Sequence, residues 1–254
     1  MFKSVRTLAV SQDQELFRVL LLAALSLVTL HFFGGLSIAI SSFKELGLQS
    51  FAQTLTVWQF KGADAPLFNR LYWAACSDLL YLVLPLLVLR YWGYRPLQAY
   101  GLSIRREAGF WRMYGLALMV MVPLVLWMSS THAFQSLYPF YKPPMQAGWL
   151  PRWLIYEVAY ISQFFALEFF FRGLLVHGLR PKLGISAVPV MMLPYCMLHF
   201  GKPLPEALAS ILAGMVLGLV SYRSRSIALG FMLHASVALL MDSSVLWRLG
   251  YFGL

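Results

Sequence analysis

The chain has 254 residues, 60% of them hydrophobic and only 12% charged, with a formal net charge of +10. Soluble domains carry about a quarter of their residues charged, and here apolar runs near or above the ~18 residues that cross a bilayer recur along the chain. A water-soluble globular domain is excluded. The basic excess is spread over short loops, so it reads as membrane topology and contact with anionic lipid, not as a nucleic-acid surface.

Taken in chain order, Ser11-Gln-Asp-Gln14 has the form of a capping box and predicts the start of the helix that becomes the first span, about Phe17 to Ile40. That span is too long, and lacks a small-residue cleavage site, for a removable signal peptide. A polar loop is expected to about Arg70, then spans at about Leu71 to Leu89 and Trp111 to Met128. Residues 129–149, with Pro139, Pro143 and Pro144, read as a loop. The fourth span is expected from near Leu150 to about His177 and the fifth from Ile185 to Phe200. The sixth follows Pro203 and Pro205, since proline favours the first turn of a helix, and ends near Tyr222. The seventh runs from about Ile227 to Leu240, and the tail to Leu254 either extends it or lies in the interface. Cys76 and Cys196 both fall in apolar segments and imply no disulfide framework.

The fold class expected is therefore all-α, a polytopic transmembrane bundle of about seven spans. It divides into an N-terminal membrane region (1–149, about three spans) and a core (150–254) formed by the last four. Twelve Lys and Arg residues, among them Arg90, Arg95, Arg105, Arg106 and Arg112, fall on the N-terminal side of the membrane against seven on the other, with Lys44, Lys61 and Arg70 among these. That asymmetry places the N-terminus inside.

A charged side chain at mid-bilayer costs about 2.5–3.5 kcal/mol on insertion scales, so such residues are paired, face the bundle interior and are functional candidates. Here they are Asp78, Glu157, Glu168, Arg172, His199, His234 and Asp242. Glu168 and Arg172 are spaced i, i+4 and share a helix face. Tyr195 and His199 repeat that spacing at the end of the next span. His234, Ala238 and Asp242 share a face of the last. Counting 1.5 Å per residue from the span ends, Glu168 lies about 15 Å deep, His199 about 21 Å and His234 about 12 Å, so the three can meet in one layer. A carboxylate and two imidazoles around a water-filled pocket can deprotonate a water molecule, or give three ligands to zinc with an open fourth position. His177 falls on the opposite face from Glu168 and is left out. Ser210, Gly214 and Gly218, at four-residue spacing, read as a close helix-packing stripe. Glu206 reads either as a first-turn carboxylate meeting the helix dipole or as a group at the rim of the site.

Together, Glu168-x-x-x-Arg172-Gly173, Tyr195-x-x-x-His199 and the later His234 resemble the CPBP family, the CAAX-protease and bacteriocin-processing intramembrane endopeptidases related to type II CAAX prenyl endopeptidase. The resemblance covers about residues 150–242. The family's Glu-Glu-x-x-x-Arg falls with its second glutamate on Glu168 and its arginine on Arg172, while Leu167 stands at the first position. Its Phe-x-x-x-His falls on Tyr195 and His199. Its His-x-x-x-Asn falls on His234, with Ala238 where the asparagine would be. Asp242 lies about 6 Å further along the helix and is no replacement.

The resemblance implies an endopeptidase acting on a membrane-associated protein or peptide within the lipid bilayer, without nucleic acid. Glu168 would be general base, aided by His199, with His234 as oxyanion donor and Arg172 holding Glu168 in place. Tyr195, Glu206 and Asp242 would support the site. Both a glutamate and a metal have been described as the family's agent, so zinc on Glu168, His199 and His234 stays open as cofactor. The short loops fit a bacterial cytoplasmic membrane. Leu167 and Ala238 keep a second reading open, a non-catalytic membrane scaffold or immunity-type protein. A third is a small transporter relaying protons through Glu157, Glu168 and Asp242.

Overall fold

The computed structural model describes residues 2–60, 62, 64–92, 95–103, 109–145 and 148–253, with side chains from Gln12 onward. Among the Lys and Arg residues that make up the charge asymmetry, Lys61, Arg105 and Arg106 and the side chains of Lys3 and Arg6 lie outside what is described. Among the described residues every regular element is helical. Six stretches are long and apolar enough to cross a membrane: Gln12–Phe33, Ala65–Trp92, Phe110–Met128, Trp149–Met197, Leu204–Ser224 and Ala228–Arg248. The fourth stretch is 49 residues long and holds both the fourth and the fifth expected spans, so a bundle of about seven spans stands. The protein is an integral multi-pass membrane protein.

Several boundaries differ from expectation. Helix α1 (Phe2–Phe33) runs through Ser11–Gln14 without a break, so the capping box opens nothing: the amides it would cap are already inside a helix. The first span ends at Phe33, where Gly34 and Gly35 part α1 from α2 (Leu36–Glu45). The expected polar loop is mostly helix, α2 followed by α3 (Gln49–Phe60). Leu36, Ile40, Ala52 and Leu55 close a small core between these two, an amphipathic pattern hidden under polar composition.

The second span comprises α4 (Ala65–Asp78), a π-helical turn (Leu79–Val83) and α5 (Leu84–Trp92). Pro85 supplies no N–H to the preceding turn, and the widened turn at that point accommodates the loss. Helix α6 spans Phe110–Met128, and α7 (His132–Leu137) occupies part of the expected proline-bearing loop, with the Thr131 hydroxyl capping it by accepting from Phe134 N. Then come α8 (Trp149–Glu168), a π-helical segment (Phe169–His177), α9 (Gly178–Leu183), α10 (Ala187–Met197), α11 (Leu204–Ser224) and α12 (Ala228–Arg248). The last helix takes in much of the tail.

The chain forms two compact units. The first comprises Met1–Val28, Leu80–Ala108 and Ala166–Phe231. Its centre is the π-helical segment, all nine residues of which are buried. Tyr81 stacks on Phe170 with ring centroids 4.3 Å apart. Gly214 and Gly218 let α11 close on α10, as their spacing predicts. A Cβ at Gly218 would stand 2.8 Å from both Val188 and Met191, and one at Gly214 3.0 Å from the Tyr195 ring. The second unit comprises Thr29–Leu79, Gly109–Phe165 and Met232–Leu254. Its core is aromatic, built on Tyr141, Trp153, Tyr156 and Tyr160 with Leu67 and Leu246.

Candidate active site

Glu168 closes α8, and Arg172 lies in the first turn of the π-helical segment that follows. Arg172 Nη1 is 2.9 Å from Glu168 Oε1, and neither side chain is exposed. The pairing read from their spacing is therefore made, on a segment whose helix type the sequence did not signal. On its other side the carboxylate lies against α12, where a Cβ at Gly230 would overlap Oε2 and come within 2.7 Å of Cδ. The carboxylate is thus held between a guanidinium and bare helix backbone.

Tyr195 carries the site onward. The Arg172 guanidinium carbon sits 4.4 Å from the centroid of the Tyr195 ring, in cation–π range. Phe171 meets the same ring edge-on at 5.3 Å. The His199 ring is 5.2 Å from that of Tyr195, so Glu168, Arg172, Tyr195 and His199 form a continuous series of contacts within the first unit. His199 stands in the turn after α10, half-buried, not on the helix itself. Its Nδ1 is 3.2 Å from the Tyr195 carbonyl oxygen. When Nδ1–H donates to that carbonyl, Nε2 becomes the basic nitrogen. Glu206, in the first turn of α11, is held by Lys202 at 3.1 Å.

The other sequence candidates lie in the second unit. His234 is half-buried and stacks on Phe164, centroids 5.5 Å apart and planes 9° from parallel. Asp242 is fully buried and accepts from the Tyr156 hydroxyl at 3.3 Å. Glu157, next to Tyr156 on α8, is buried as well. Asp242 thereby belongs to an aromatic-lined acid network that spacing along α12 could not reveal, its partners being on α8. That network reaches the loop before α8: burial pushes the Lys142 amine down, and the charge of Asp242 acts the other way. Asp78 accepts from the Ser162 hydroxyl at 2.7 Å.

His177, left out on sequence grounds, is buried with Nε2 3.1 Å from the Ser221 hydroxyl. Near it Arg95 Nη2 donates to Glu15 Oε1 at 2.6 Å and to the His177 carbonyl at 2.9 Å, while the Tyr100 hydroxyl donates to Glu15 at 2.9 Å. Burial pushes the Tyr100 phenol well up from its ordinary value, with the nearby Arg95 opposing. This network anchors the end of the π-helical segment. Sequence reasoning missed it, and missed Gly230, whose only signal is a glycine inside a helix one turn before His234.

Among the described residues no group of three or more His, Cys, Asp or Glu side chains is placed to hold a metal ion. Glu168, the first of the three ligands weighed for zinc, already has a guanidinium as its counter-charge.

Residues 148–240 match the family model described as Type II CAAX prenyl endopeptidase Rce1-like. No curated protein matches the chain, and no solved structure does. The matched segment opens at the residue before α8 and closes within α12. It takes in Glu168, Arg172, Tyr195, His199, Gly230 and His234, and it agrees with the CPBP resemblance.

Proposed function

We propose that this protein is an intramembrane endopeptidase that hydrolyses a peptide bond in a membrane-associated protein or peptide, using water activated by Glu168 and His199. The observation that carries the reading is the buried Glu168–Arg172 pair lying inside the segment that matches the Rce1-like model. A buried ion pair in a bilayer is costly to keep, and here it stands at the motif positions of a protease family.

In this reading Glu168 takes a proton from the water as its oxygen attacks the carbonyl carbon of the scissile bond. His199, oriented by the Tyr195 carbonyl, shares the water through Nε2. His234 donates to the oxygen that becomes negative, where a preorganised donor in a low-dielectric site has most effect. The proton then passes from Glu168 to the leaving amine as the C–N bond breaks. Arg172 keeps the carboxylate charged and in place and touches no reacting atom. The substrate class is a membrane-proximal peptide segment, such as the tail of a lipidated protein, a bacteriocin leader or a C-terminal sorting signal. The setting is a bacterial cytoplasmic membrane with the N-terminus inside.

One observation favours a second reading, a non-catalytic bundle: the Glu168 carboxylate is fully enclosed, and its neighbour Leu167 is apolar. Co-expression with membrane-anchored reporters separates the two. Wild type, Glu168→Gln, His199→Ala and His234→Ala are compared at matched membrane levels. Cleavage by the wild type and loss in all three variants is the expected result. Cleavage that survives Glu168→Gln removes Glu168 as the base and sinks the mechanism.

A further inference from the structure

We infer that Gly230 is the positioning residue for the Glu168 carboxylate, the missing side chain at this point of α12 forming its seat opposite Arg172. The inference rests on the reading of Glu168 as the working carboxylate and adds to it a residue that no motif includes.

Glycine is a poorer helix former than alanine, by up to about 1 kcal/mol in a helix interior, so its presence in the first turn of α12 calls for a reason. Backbone conformation supplies none, because Gly230 does not have the positive φ that favours glycine. Space supplies one. Among the described glycines, Gly230 is the one whose added Cβ would meet a carboxylate, whereas Gly214 and Gly218 face packed apolar or aromatic side chains. The three nearest atoms to a Cβ at Gly230 are all at the end of the Glu168 side chain, its two carboxylate oxygens and Cδ. The displacement would fall on the carboxylate itself, which has no exposed surface to swing into and is held at Oε1 by Arg172. Gly230 thereby fixes where Oε2 sits.

Gly230→Ala is expected to remain folded in the membrane, with a loss of thermal stability like that of other overpacked sites, while lowering reporter cleavage about a hundredfold, the scale of an ångström-sized misplacement. The pH profile of cleavage should move with it, which a purely structural role would not cause. Shortening the acid makes room for the methyl, so Gly230→Ala combined with Glu168→Asp should cleave better than Gly230→Ala alone.

A second readout does not need activity. The infrared carboxylate band of Glu168, assigned by its loss in Glu168→Gln, should shift in Gly230→Ala. A shifted band in a protein that cleaves no reporter would uphold the positioning and count against the protease reading. An unshifted band, or wild-type cleavage with an unchanged pH profile, overturns the positioning even where the protease reading holds. Should Gly230→Ala fold poorly, Gly230→Ser, whose hydroxyl can donate to the carboxylate, is measured the same way, and an unshifted band there is equally fatal.

Discussion

Arg172 and Glu168 form an ion pair of 2.9 Å from which solvent is wholly excluded. Removing one partner of a buried pair leaves an uncompensated charge and costs about 3–5 kcal/mol, whereas removing both costs much less. Arg172→Ala is therefore expected to lower thermal stability in detergent by that order. The double variant Glu168→Ala/Arg172→Ala should be more stable than the sum of the two single losses predicts. A double-mutant cycle with no coupling would contradict the pair as a unit.

Tyr195 is the contact through which the Arg172 guanidinium reaches the neighbourhood of His199. What Arg172 uses is the face of the ring, so Tyr195→Phe should retain packing and most of the cleavage. Tyr195→Leu removes the aromatic face and should cost about 1–2 kcal/mol in stability, the scale of a desolvated cation–π contact, with cleavage falling as well. Equal behaviour of the two variants in thermal unfolding would show that the ring's π face contributes nothing.

Arg95 ties Glu15 on α1 to the carbonyls of His177 and Gly178 at the end of the π-helical segment. Hydrogen bonds to charged groups contribute about 1.5–3 kcal/mol each, and here several end on one guanidinium. Arg95→Ala should therefore destabilise by about 3 kcal/mol or more. Arg95→Lys recovers only part, because an ammonium lacks the planar fork. Since this network lies apart from the reacting groups, the pH profile of the remaining cleavage should match wild type. A shifted profile would mean that Arg95 acts on the carboxylate.

Much of the fold was legible because lipid imposes long apolar runs, and the Glu168–Arg172 pair was legible because four-residue spacing places two side chains on one helix face. The small-residue stripe on α11 was legible for the same reason. The π-helical segment was not. A shift of hydrogen-bond register leaves no mark on composition, and FFFRGLLVH reads equally well as α-helix. Helices α2 and α3 were hidden because each buries only a few apolar residues under a polar surface. The Tyr156–Asp242 bond joins residues 86 positions apart, and one sequence carries no sign of such a pairing. Gly230 was visible but mute: its meaning appears only with the Glu168 carboxylate beside it.

Two helix glycines give the sharpest contrast for packing. An added Cβ at Gly218 would stand 2.8 Å from Val188 Cγ1 and from Met191 Cε, and both of those residues are fully buried. Met191 can yield at its flexible end, but the branched Val188 is stiff at χ1, so α10 and α11 must separate slightly. Gly218→Ala should cost about 1–3 kcal/mol, the scale of overpacking in a filled core. Gly115, in α6, has open space where its Cβ would lie. Gly115→Ala adds helix propensity without a clash and should be neutral or stabilising by up to about 1 kcal/mol. Thermal unfolding of both variants in the same detergent decides the matter: a Gly218→Ala protein as stable as Gly115→Ala would mean that the glycines of α11 are not what lets it close on α10.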